Sequence, residues 1–396
     1  MHSILFRDID AMARPEAPSM KFGLFLELSV PRPATREAEA RVFRHSIEDA
    51  VLADQLGFDH VWVVEHHFLE EYSHSGAPEV LLGAIAAKTQ RIRLGHGVVV
   101  CVPQINHPVR VAERIAVLDI ISEGRVDFGT GRSSTWTELG GFYGDPDATK
   151  QSWSEYVDVI PRMWSTPVFS HEGVTFSLPE RKILPRPVQL PHPPMWVAVS
   201  SPGTEIDAAE RGLGWLGVNF SGYEALAARI RKYREITAKL ELEPFRSKND
   251  TVYTVNFLYC HEDAEYAAVR GGKLATEFQY LADQNLHTRE VVVTPAYPTL
   301  GGIPTVSQRD TGSEKDKGVP EGACVGTPEQ IIDTIERWRA IGVDGINFII
   351  NSAEVLNADE VRQSLHLFAG KVLPHLSTDA ASMIGALGAT RWRECK

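Results

Sequence analysis

The amino-acid sequence predicts a single α/β domain built as a (β/α)8, or TIM, barrel. Three observations support this fold class: eight short apolar runs rich in β-branched residues, a helical period in the segments between them, and a chain of 396 residues, which is long enough for one such barrel. Several runs are apolar at every position, which is typical of parallel strands covered on both faces. The barrel is predicted to span residues 20–376, after a flexible lead-in at 1–19 and before a tail at 377–396.

The eight runs predicted as strands share this apolar character and alternate with helical segments along the chain. In order they are Lys21–Leu28, His60–Val64, Arg93–Val100, Val126–Thr130, Met195–Val199, Trp215–Val218, Val252–Tyr259 and Gly345–Ile350.

The segments between the strands place apolar residues on one helical face. Phe43, Ile47 and Val51 recur at i, i+4 and i+8, and Gly57 follows as a residue suited to a left-handed helix end. The clearest helix start is Thr327–Gln330, where threonine can cap, proline sits in the first turn and glutamine can return to the cap amide. Further helices are predicted around Val111–Leu118, Ser152–Trp164 and Leu226–Tyr233.

Two connections are longer than the barrel pattern requires. Residues 131–194 hold one predicted helix and a proline-rich stretch, and residues 281–325 form a long insertion before the last strand. Long connections inside a compact domain are usually lids or solvated excursions. For 281–325 the sequence leaves both interpretations open.

Composition and charge narrow the class of partner. Lys plus Arg number 40 and Asp plus Glu number 52, a formal net charge of −12, and no local basic cluster is evident. We therefore expect neither nucleic acid nor a membrane as partner. The four cysteines form no CxxC pair, and no signal-peptide or membrane-spanning pattern is evident, so we expect a cytoplasmic protein.

Two glycine motifs resemble nucleotide-binding loops and are rejected. Gly212–Gly217 matches GxGxxG, but it follows a helical segment and leads into a strand, which reverses the order of a Rossmann loop. Gly83–Thr89 resembles a Walker loop, but it lies in a helical pattern and has Ala87 where the second glycine is needed.

Three ionisable residues, Glu65–His67, end the second predicted strand, where barrels build their active sites. A histidine pair can bind a metal, but neighbouring strand residues point to opposite faces, so His66 and His67 do not readily reach one ion. We predict no metal site. A structural pair and a catalytic His66, whose unperturbed pKa of about 6.5 suits proton exchange near neutral pH, both remain open.

Two further strand ends carry groups that suit an anion. Gly129–Ser134 follows the fourth strand and contributes Arg132, and Ser200–Thr204 follows the fifth strand and leads into a helix. One guanidinium, several hydroxyls and the N–H groups of a helix N-terminus together suit a phosphate dianion. The alternative is that Thr204 does no more than cap its helix.

Taken in order, these motifs resemble the luciferase-like flavin-dependent monooxygenases, the relatives of bacterial luciferase. The resemblance spans about residues 20–375. It is carried by Glu65–His67, His107–Arg110, Gly124–Arg132, Leu184–Pro187 and Val325–Gln330.

The resemblance implies a TIM barrel of the bacterial luciferase type and roles for individual residues. His66 matches the family's active-site histidine, the residue assigned to formation or reaction of the flavin peroxide. Arg132, Ser201 and Thr204 match residues that grip the FMN phosphate, and Ser200 lies where luciferase has an acidic residue.

Three more residues enter the expected cofactor site through the resemblance. Glu65 precedes the active-site histidine in the Glu-His-His motif. Val98 and Val99 lie where the family has a non-proline cis peptide under the flavin ring, which is expected here within Val98–Val100.

The resemblance also implies the reaction. Reduced FMN, supplied by a separate flavin reductase, would react with O2 to a flavin hydroperoxide that oxygenates a small, apolar organic substrate. Relatives are commonly dimers or larger, so a homo-oligomer is expected. Two alternatives stay open: an F420-dependent hydride-transferring oxidoreductase of the same superfamily, and a flavin-binding protein without catalysis.

Overall fold

A computed structural model describes residues 19–70, 72–133, 135–218, 223–286 and 318–376. The strands are β1 (Lys21–Leu26), β2 (His60–Val63), β3 (Arg93–His96), β4 (Val99–Val100), β5 (Val126–Gly131), β6 (Phe169–Glu172), β7 (Ser177–Arg181), β8 (Met195–Ala198), β9 (Gly214–Val218), β10 (Val252–Cys260), β11 (Cys324–Gly326) and β12 (Gly345–Ile349). The helices are α1 (Arg36–Leu56), α2 (Pro78–Ala86), α3 (Pro108–Ile121), α4 (Trp136–Gly141), α5 (Thr149–Ser165), α6 (Thr204–Arg211), α7 (Tyr223–Thr237), α8 (Ala264–Leu286), α9 (Pro328–Ala340), α10 (Ala358–Lys371) and α11 (Leu373–Leu376).

Eight strands close into a parallel barrel. They pair in the order β1, β2, β3, β5, β8, β9, β10 and β12, and β12 pairs back with β1. Every pairing around this ring is parallel. The predicted (β/α)8 barrel is confirmed.

Alternation along β1 separates the two faces of the barrel wall. Phe22 points outward and meets Phe368 of α10 edge to face, with ring centroids 5.4 Å apart. Phe25 points inward, where a Cβ added to Gly97 would lie 2.9 Å from its ring. On β2 the inward residue is Trp62, whose ring centroid lies 5.4 Å from that of Trp196. The interior is therefore a packed core at this level, with side chains alternating as a pleated wall requires.

Near the amino ends of the strands, one buried carboxylate joins several of them. Asp127 Oδ2 accepts a hydrogen bond from Arg93 Nε at 2.6 Å, and Asp127 Oδ1 accepts one from Trp196 Nε1 at 3.0 Å. His60 Nε2 lies 3.6 Å from the same carboxylate. Asp127 thereby links β2, β3, β5 and β8 at the end of the barrel opposite the predicted site.

The predicted strands match the barrel strands with ends that differ by at most two residues, except for one run. The predicted run Arg93–Val100 is divided into β3 and β4. The cis peptide expected within Val98–Val100 lies one residue earlier, between Gly97 and Val98.

The long connections contain elements that the sequence analysis missed. The first holds α4 and an antiparallel hairpin of β6 and β7, besides α5 at the predicted position. Both described ends of the predicted insertion are regular structure, since α8 runs to Leu286 and β11 begins at Cys324. The rest of the predicted insertion, residues 287–317, lies outside the described residues, and so does its interpretation as a lid. The predicted lead-in at 1–18 and the predicted tail at 377–396 also lie outside them.

Local signals at helix ends behave as predicted. Thr327 and Gln330 form the capping box of α9, and Gly57 ends α1 with φ of 90°. Gly212 ends α6 in the left-handed region, so the GxGxxG match is a helix end followed by a strand. Gly83 lies inside α2, so the Walker-like match is helical. Within the described ranges, no helix is long and apolar enough to cross a bilayer.

Candidate active site

The predicted site residues lie at the carboxyl ends of neighbouring strands, and none lies beyond Thr204 in the chain. Val99 of β4 and Val197 of β8 flank Thr130 of β5 in the pairing register. Two residues after Thr130, Arg132 therefore lies beside the start of the loop 200–204. The barrel thus places the residues predicted to bind a phosphate next to the segment of Val98 and Val99, on one rim.

His66 lies just beyond β2 and is held by a buried carboxylate. His66 Nδ1 lies 3.0 Å from Glu138 Oε1. Because the carboxylate can only accept, Nδ1 is the donor in this bond. Glu138 is 1% exposed, and its other oxygen, Oε2, accepts a hydrogen bond from the Ser133 hydroxyl at 2.8 Å. The backbone N–H of His67 donates to Glu138 Oε1 at 3.0 Å. These two hydrogen bonds hold the carboxylate in place independently of the imidazole.

Opposing effects set the charge of this pair. Burial by itself lowers the pKa of His66, but the charge and hydrogen bond of Glu138, with the charges of Glu27 and Glu65, outweigh it and raise that pKa. Burial likewise favours protonated Glu138, yet the charge and hydrogen bond of His66 hold the pKa of Glu138 below its usual range. The pair therefore favours an imidazolium next to a carboxylate. Nδ1 of the imidazolium is hydrogen-bonded to Glu138, and Nε2 points away from Glu138.

Glu65, predicted to bind the cofactor, is directed at the backbone of β4. Its Oε2 accepts the N–H of Val100 at 2.8 Å, and its Oε1 accepts Asn106 Nδ2 at 2.7 Å. His67 Nε2 lies 3.1 Å from Oε1. His66 and His67 therefore pair with different carboxylates, and Glu65 fixes the strand segment that begins at Val99.

Glycines of β5 form the seat for Val98. A Cβ added to Gly131 would lie 2.5 Å from Val98 Cγ2, and one added to Gly129 would lie 3.2 Å from Val98 Cγ1 and 1.8 Å from the carbonyl oxygen of His96. No side chain larger than hydrogen fits between β5 and this segment without displacement. Val98 itself is partly exposed, whereas Val99 is 4% exposed.

The loop after β8 places hydroxyls at the start of α6. Ser200 is exposed, Ser201 and Thr204 are partly exposed, and Thr204 is the first residue of the helix. At the same end, Glu205 Oε2 accepts the N–H of Gly203 at 3.0 Å and the guanidinium of Arg229 at 2.6 Å. The negative charge of Glu205 is thus balanced by Arg229. The hydroxyls of this loop and the partly buried guanidinium of Arg132 are groups whose chemistry suits an anion.

Three residues of the site were missed from the sequence. Glu138 is 72 residues from His66 in the chain, and Glu27 and Tyr72 approach the same ring from other elements. Two of them, Glu138 and Glu27, leave a weak signal in the sequence. Glu138 is the fourth residue of a Thr-x-x-Glu pattern, and Glu27 is a carboxylate inside an otherwise apolar strand run.

In the portion of the chain that the structure describes, no group of three or more His, Cys, Asp or Glu side chains could hold a metal ion. The described cysteines Cys101, Cys260 and Cys324 are buried free thiols.

The fold and the rim define the chain as a TIM-barrel protein of the class whose chemistry lies at the carboxyl ends of the strands. The sequence model of the family described as "Luciferase-like monooxygenase" matches residues 20–345. The chain belongs to this luciferase-like monooxygenase family.

Similar proteins agree with this assignment over most of the chain. The oxygenase component of a flavin-dependent trigonelline monooxygenase from Acinetobacter baylyi is 24% identical over 367 residues, 90% of this chain and 96% of that protein. The crystal structure of the monooxygenase RslO1 from Streptomyces bottropensis is 29% identical, with a TM-score of 0.74, over 90% of this chain and 99% of that one. Both of these similar proteins are named as monooxygenases.

More distant structures share the fold. The oxygenating constituent of 3,6-diketocamphane monooxygenase from Pseudomonas putida, in complex with FMN, has a TM-score of 0.68 at 21% identity and covers 90% of this chain and 99% of its own. A coenzyme F420-dependent tetrahydromethanopterin reductase from Methanopyrus kandleri has a TM-score of 0.63 at 19% identity and covers 91% of this chain and 100% of its own. The same barrel therefore occurs in enzymes with either cofactor.

Proposed function

We propose that this protein is the FMN-dependent oxygenase component of a two-component monooxygenase that oxygenates a small, apolar organic substrate. The observation that carries this function is the His66–Glu138 pair, with Nδ1 and Oε1 3.0 Å apart and the carboxylate buried, at the rim that also bears Arg132 and loop 200–204. A separate flavin reductase would supply reduced FMN, by analogy with the relative named as an oxygenase component.

The donor set fits the proposed cofactor. Arg132 and the hydroxyls of Ser200, Ser201 and Thr204 would hold its phosphate. The segment of Val98 and Val99, seated on the glycines of β5 and tied to Glu65 through the N–H of Val100, would support the flavin ring. Reduced FMN, when bound, supplies the reaction with O2.

The chain's own residues would orient groups, exclude water and move a proton. Glu138 holds the His66 ring by Nδ1, so Nε2 is the atom free to hold or release a proton at the reacting centre. Tyr72 packs edge to face on the His66 ring, with 5.2 Å between ring centroids, and so limits the access of water to one side of it.

An apolar substrate is consistent with the aromatic side chains at the same rim. Phe142 of the connection after β5 lies 4.9 Å from the His67 ring and 5.0 Å from the Phe68 ring, measured between centroids. Phe68 is 59% exposed, so this cluster offers an accessible apolar wall.

The oligomer and the compartment are further parts of the proposal. α2 and α3 expose Val80, which is 70% exposed, and Ile121, which is 55% exposed. Their apolar side chains support a homo-oligomer with these helices at the contact. The described cysteines Cys101, Cys260 and Cys324 are free thiols, which supports a cytoplasmic enzyme.

The test is a titration of the purified protein with FMN, reduced FMN and F420, followed by tryptophan fluorescence. Arg132→Ala is the test variant and Arg181→Ala, which removes an exposed arginine of β7, is the control. We expect reduced FMN to bind best, and Arg132→Ala but not Arg181→Ala to weaken it by about tenfold or more. Equal affinities of both variants would contradict the assignment of Arg132.

The F420-dependent alternative is supported by the shared fold with the reductase from Methanopyrus kandleri. Preferred binding of F420 in the same titration would replace the proposed function by hydride transfer. Binding of reduced FMN without O2 consumption on any substrate tested would instead identify a non-catalytic flavin-binding protein.

A further inference from the structure

A second buried carboxylate faces the histidine of the proposed site from the opposite side. Glu27 follows the last residue of β1 and is 5% exposed. By the alternation along β1, it lies on the same inward face as Phe25. Glu27 Oε2 lies 3.9 Å from His66 Nε2, the nitrogen that Glu138 does not hold.

The contacts of Glu27 are incomplete. Its Oε1 accepts a hydrogen bond from the Tyr72 hydroxyl at 3.2 Å. Its Oε2 is buried and has no hydrogen-bond partner among the described residues. A buried carboxylate oxygen without a donor is unfavourable when the group is ionised, because nothing replaces its hydration. At 3.9 Å the two atoms are at ion-pair distance, so the carboxylate is better satisfied when Glu27 carries a proton or when His66 carries a positive charge beside it.

We propose that Glu27 is a positioning residue that shares one proton with His66 Nε2 and so serves as a proton store for the site. For this step Glu27 Oε2 and His66 Nε2, which are 3.9 Å apart, first close to hydrogen-bond distance. The Nε2–H bond of the imidazolium then breaks and an O–H bond forms on Glu27 Oε2, giving neutral imidazole and neutral carboxylic acid, or the reverse. The exchange is complete within the protein and needs no oxidant or reductant. The inference rests on the proposed function for its catalytic meaning.

The electrostatic surroundings support the shared proton. Burial raises the pKa of Glu27 to about 7, against smaller lowering effects from the charge of His66 and the hydrogen bond of Tyr72, and the charge of Glu138 raises it further. The charged or titratable groups facing the pair are thus Tyr72 from the loop after β2 and Glu138 from α4, with Glu65 acting on His66. The pKa of Glu27 is thus raised to about 7 and that of His66 is raised above its usual value, so removal of one group must change the titration of the other.

The test is a titration of His66 by histidine ring NMR in the protein without cofactor, assigned by the signal missing in His66→Ala. We expect Glu27→Gln to lower the titration midpoint of His66 by about one pH unit, because a negative charge at ion-pair distance is lost. Tyr72→Phe, which keeps the carboxylate but removes the hydrogen bond that favours its ionised form, is expected to shift the midpoint in the same direction by less. An unchanged midpoint in Glu27→Gln would overturn the proposal.

A matched control removes a carboxylate from a different histidine. Glu155 Oε1 lies 2.5 Å from His171 Nε2 in the β6–β7 region. Glu155→Gln is expected to leave the midpoint of His66 unchanged. If it moves that midpoint as far as Glu27→Gln does, the effect is a general one and the proposal fails.

A second measurement separates this inference from the proposed function. The pH profile of substrate-dependent O2 consumption is compared between the native protein and Glu27→Gln. We expect the profile to shift to lower pH in parallel with the NMR midpoint. If no turnover or flavin binding is found but the midpoint still shifts, the proposed function fails and the proton-sharing pair stands. If turnover is found and its pH profile is unmoved, the pair does not serve the reaction.

Discussion

At the scale of single residues, the imidazole of His66 is set between two carboxylates of different character. Glu138 is fully hydrogen-bonded and its pKa is held low, whereas Glu27 has one oxygen without a described donor and its pKa is raised to about 7. One carboxylate orients the ring and the other can exchange a proton with it. The motif Glu65–His67 allowed His66 to be predicted, but Glu138 and Glu27 come from distant segments, and only the fold brings them together.

The imidazole should matter for turnover and not for the fold. We expect His66→Ala to reduce coupled substrate oxygenation by about 10²- to 10⁴-fold, the usual contribution of a positioned acid or base, while FMN binding changes little. Oxygen consumption with product analysis measures the first quantity and fluorescence titration the second. A variant with full coupled turnover would remove His66 from the mechanism.

Glu27 should make stability depend on pH in a direction opposite to most carboxylates. In the unfolded chain Glu27 loses its proton near pH 4.5, whereas in the folded protein it does so near 7. Between these pH values the folded state binds more protons than the unfolded state, so the contribution of Glu27 to the free energy of unfolding falls as pH rises. We expect Glu27→Gln to gain thermal stability relative to the native protein between pH 5 and 8, by at most about 3 kcal/mol.

Glu155 provides the control of opposite sign. Hydrogen bonds from Thr175 and His171 hold the pKa of Glu155 below its usual range in spite of burial. Its contribution is present above the unfolded pKa and lost as pH falls through the folded pKa, so Glu155→Gln should lose stability at neutral pH. Melting temperatures of both variants, measured between pH 5 and 8, test the predicted gain for Glu27→Gln and the predicted loss for Glu155→Gln. The same pH dependence of the melting temperature in both variants would contradict the raised pKa of Glu27.

At the scale of elements, the strands could be predicted because each needs only an apolar, β-branched run, and the wall of the barrel supplies one at every strand. The β6–β7 hairpin could not be predicted from the sequence, because most of its residues are exposed and therefore form no apolar run. Its two strands are defined by their pairing with each other. An apolar run also cannot reveal that β3 and β4 are separate strands, because Gly97 and Val98 between them continue the apolar pattern.

The two glycines of β5 should differ in tolerance. Gly131→Ala meets the methyl end of Val98 at 2.5 Å, so we expect a loss of about 1–3 kcal/mol and weaker FMN binding as Val98 is displaced. Gly129→Ala meets backbone at 1.8 Å and should be more destabilising. Gly83→Ala, whose Cβ would have its nearest neighbour at 3.9 Å inside α2, should instead gain about 0.5–1 kcal/mol. Denaturant unfolding ranks the three, and equal effects would refute the close seat of Val98.

The capping box of α9 gives a prediction independent of the site. Thr327→Ala removes the hydroxyl that accepts the Gln330 N–H and should cost about 1 kcal/mol. Thr334→Ala is the control, because its hydroxyl donates to the Gln330 carbonyl within the helix and caps nothing. Its unfolding free energy should change by less than half as much.

At the scale of the whole molecule, the two ends of the barrel have separate tasks. Asp127 joins four strands at one end, and the proposed site lies at the other. The overall barrel follows from strand number and helix alternation in the sequence. The place of the site at the carboxyl ends also follows from the sequence, but the cluster around Asp127 at the other end does not, because its members lie on strands far apart in the chain.

Removal of the carboxylate at the amino ends should therefore separate stability from binding. We expect Asp127→Ala to destabilise the protein by about 3–5 kcal/mol, because the partly buried guanidinium of Arg93 loses its carboxylate partner and the buried Trp196 Nε1 loses its acceptor. FMN affinity measured below the melting temperature should stay within about twofold, since the change lies at the structural end of the barrel. A large loss of affinity with little loss of stability would contradict this division of tasks.

The order of the site residues along the chain has a practical consequence for enzyme engineering. Every residue proposed to handle flavin or protons comes at or before Thr204, so the loops that follow β10 and β12 border the same rim without carrying any of them. A mutant library confined to those loops would vary one part of the rim and leave the proposed cofactor grip intact. Selection for a new substrate could then proceed without repeatedly losing the flavin.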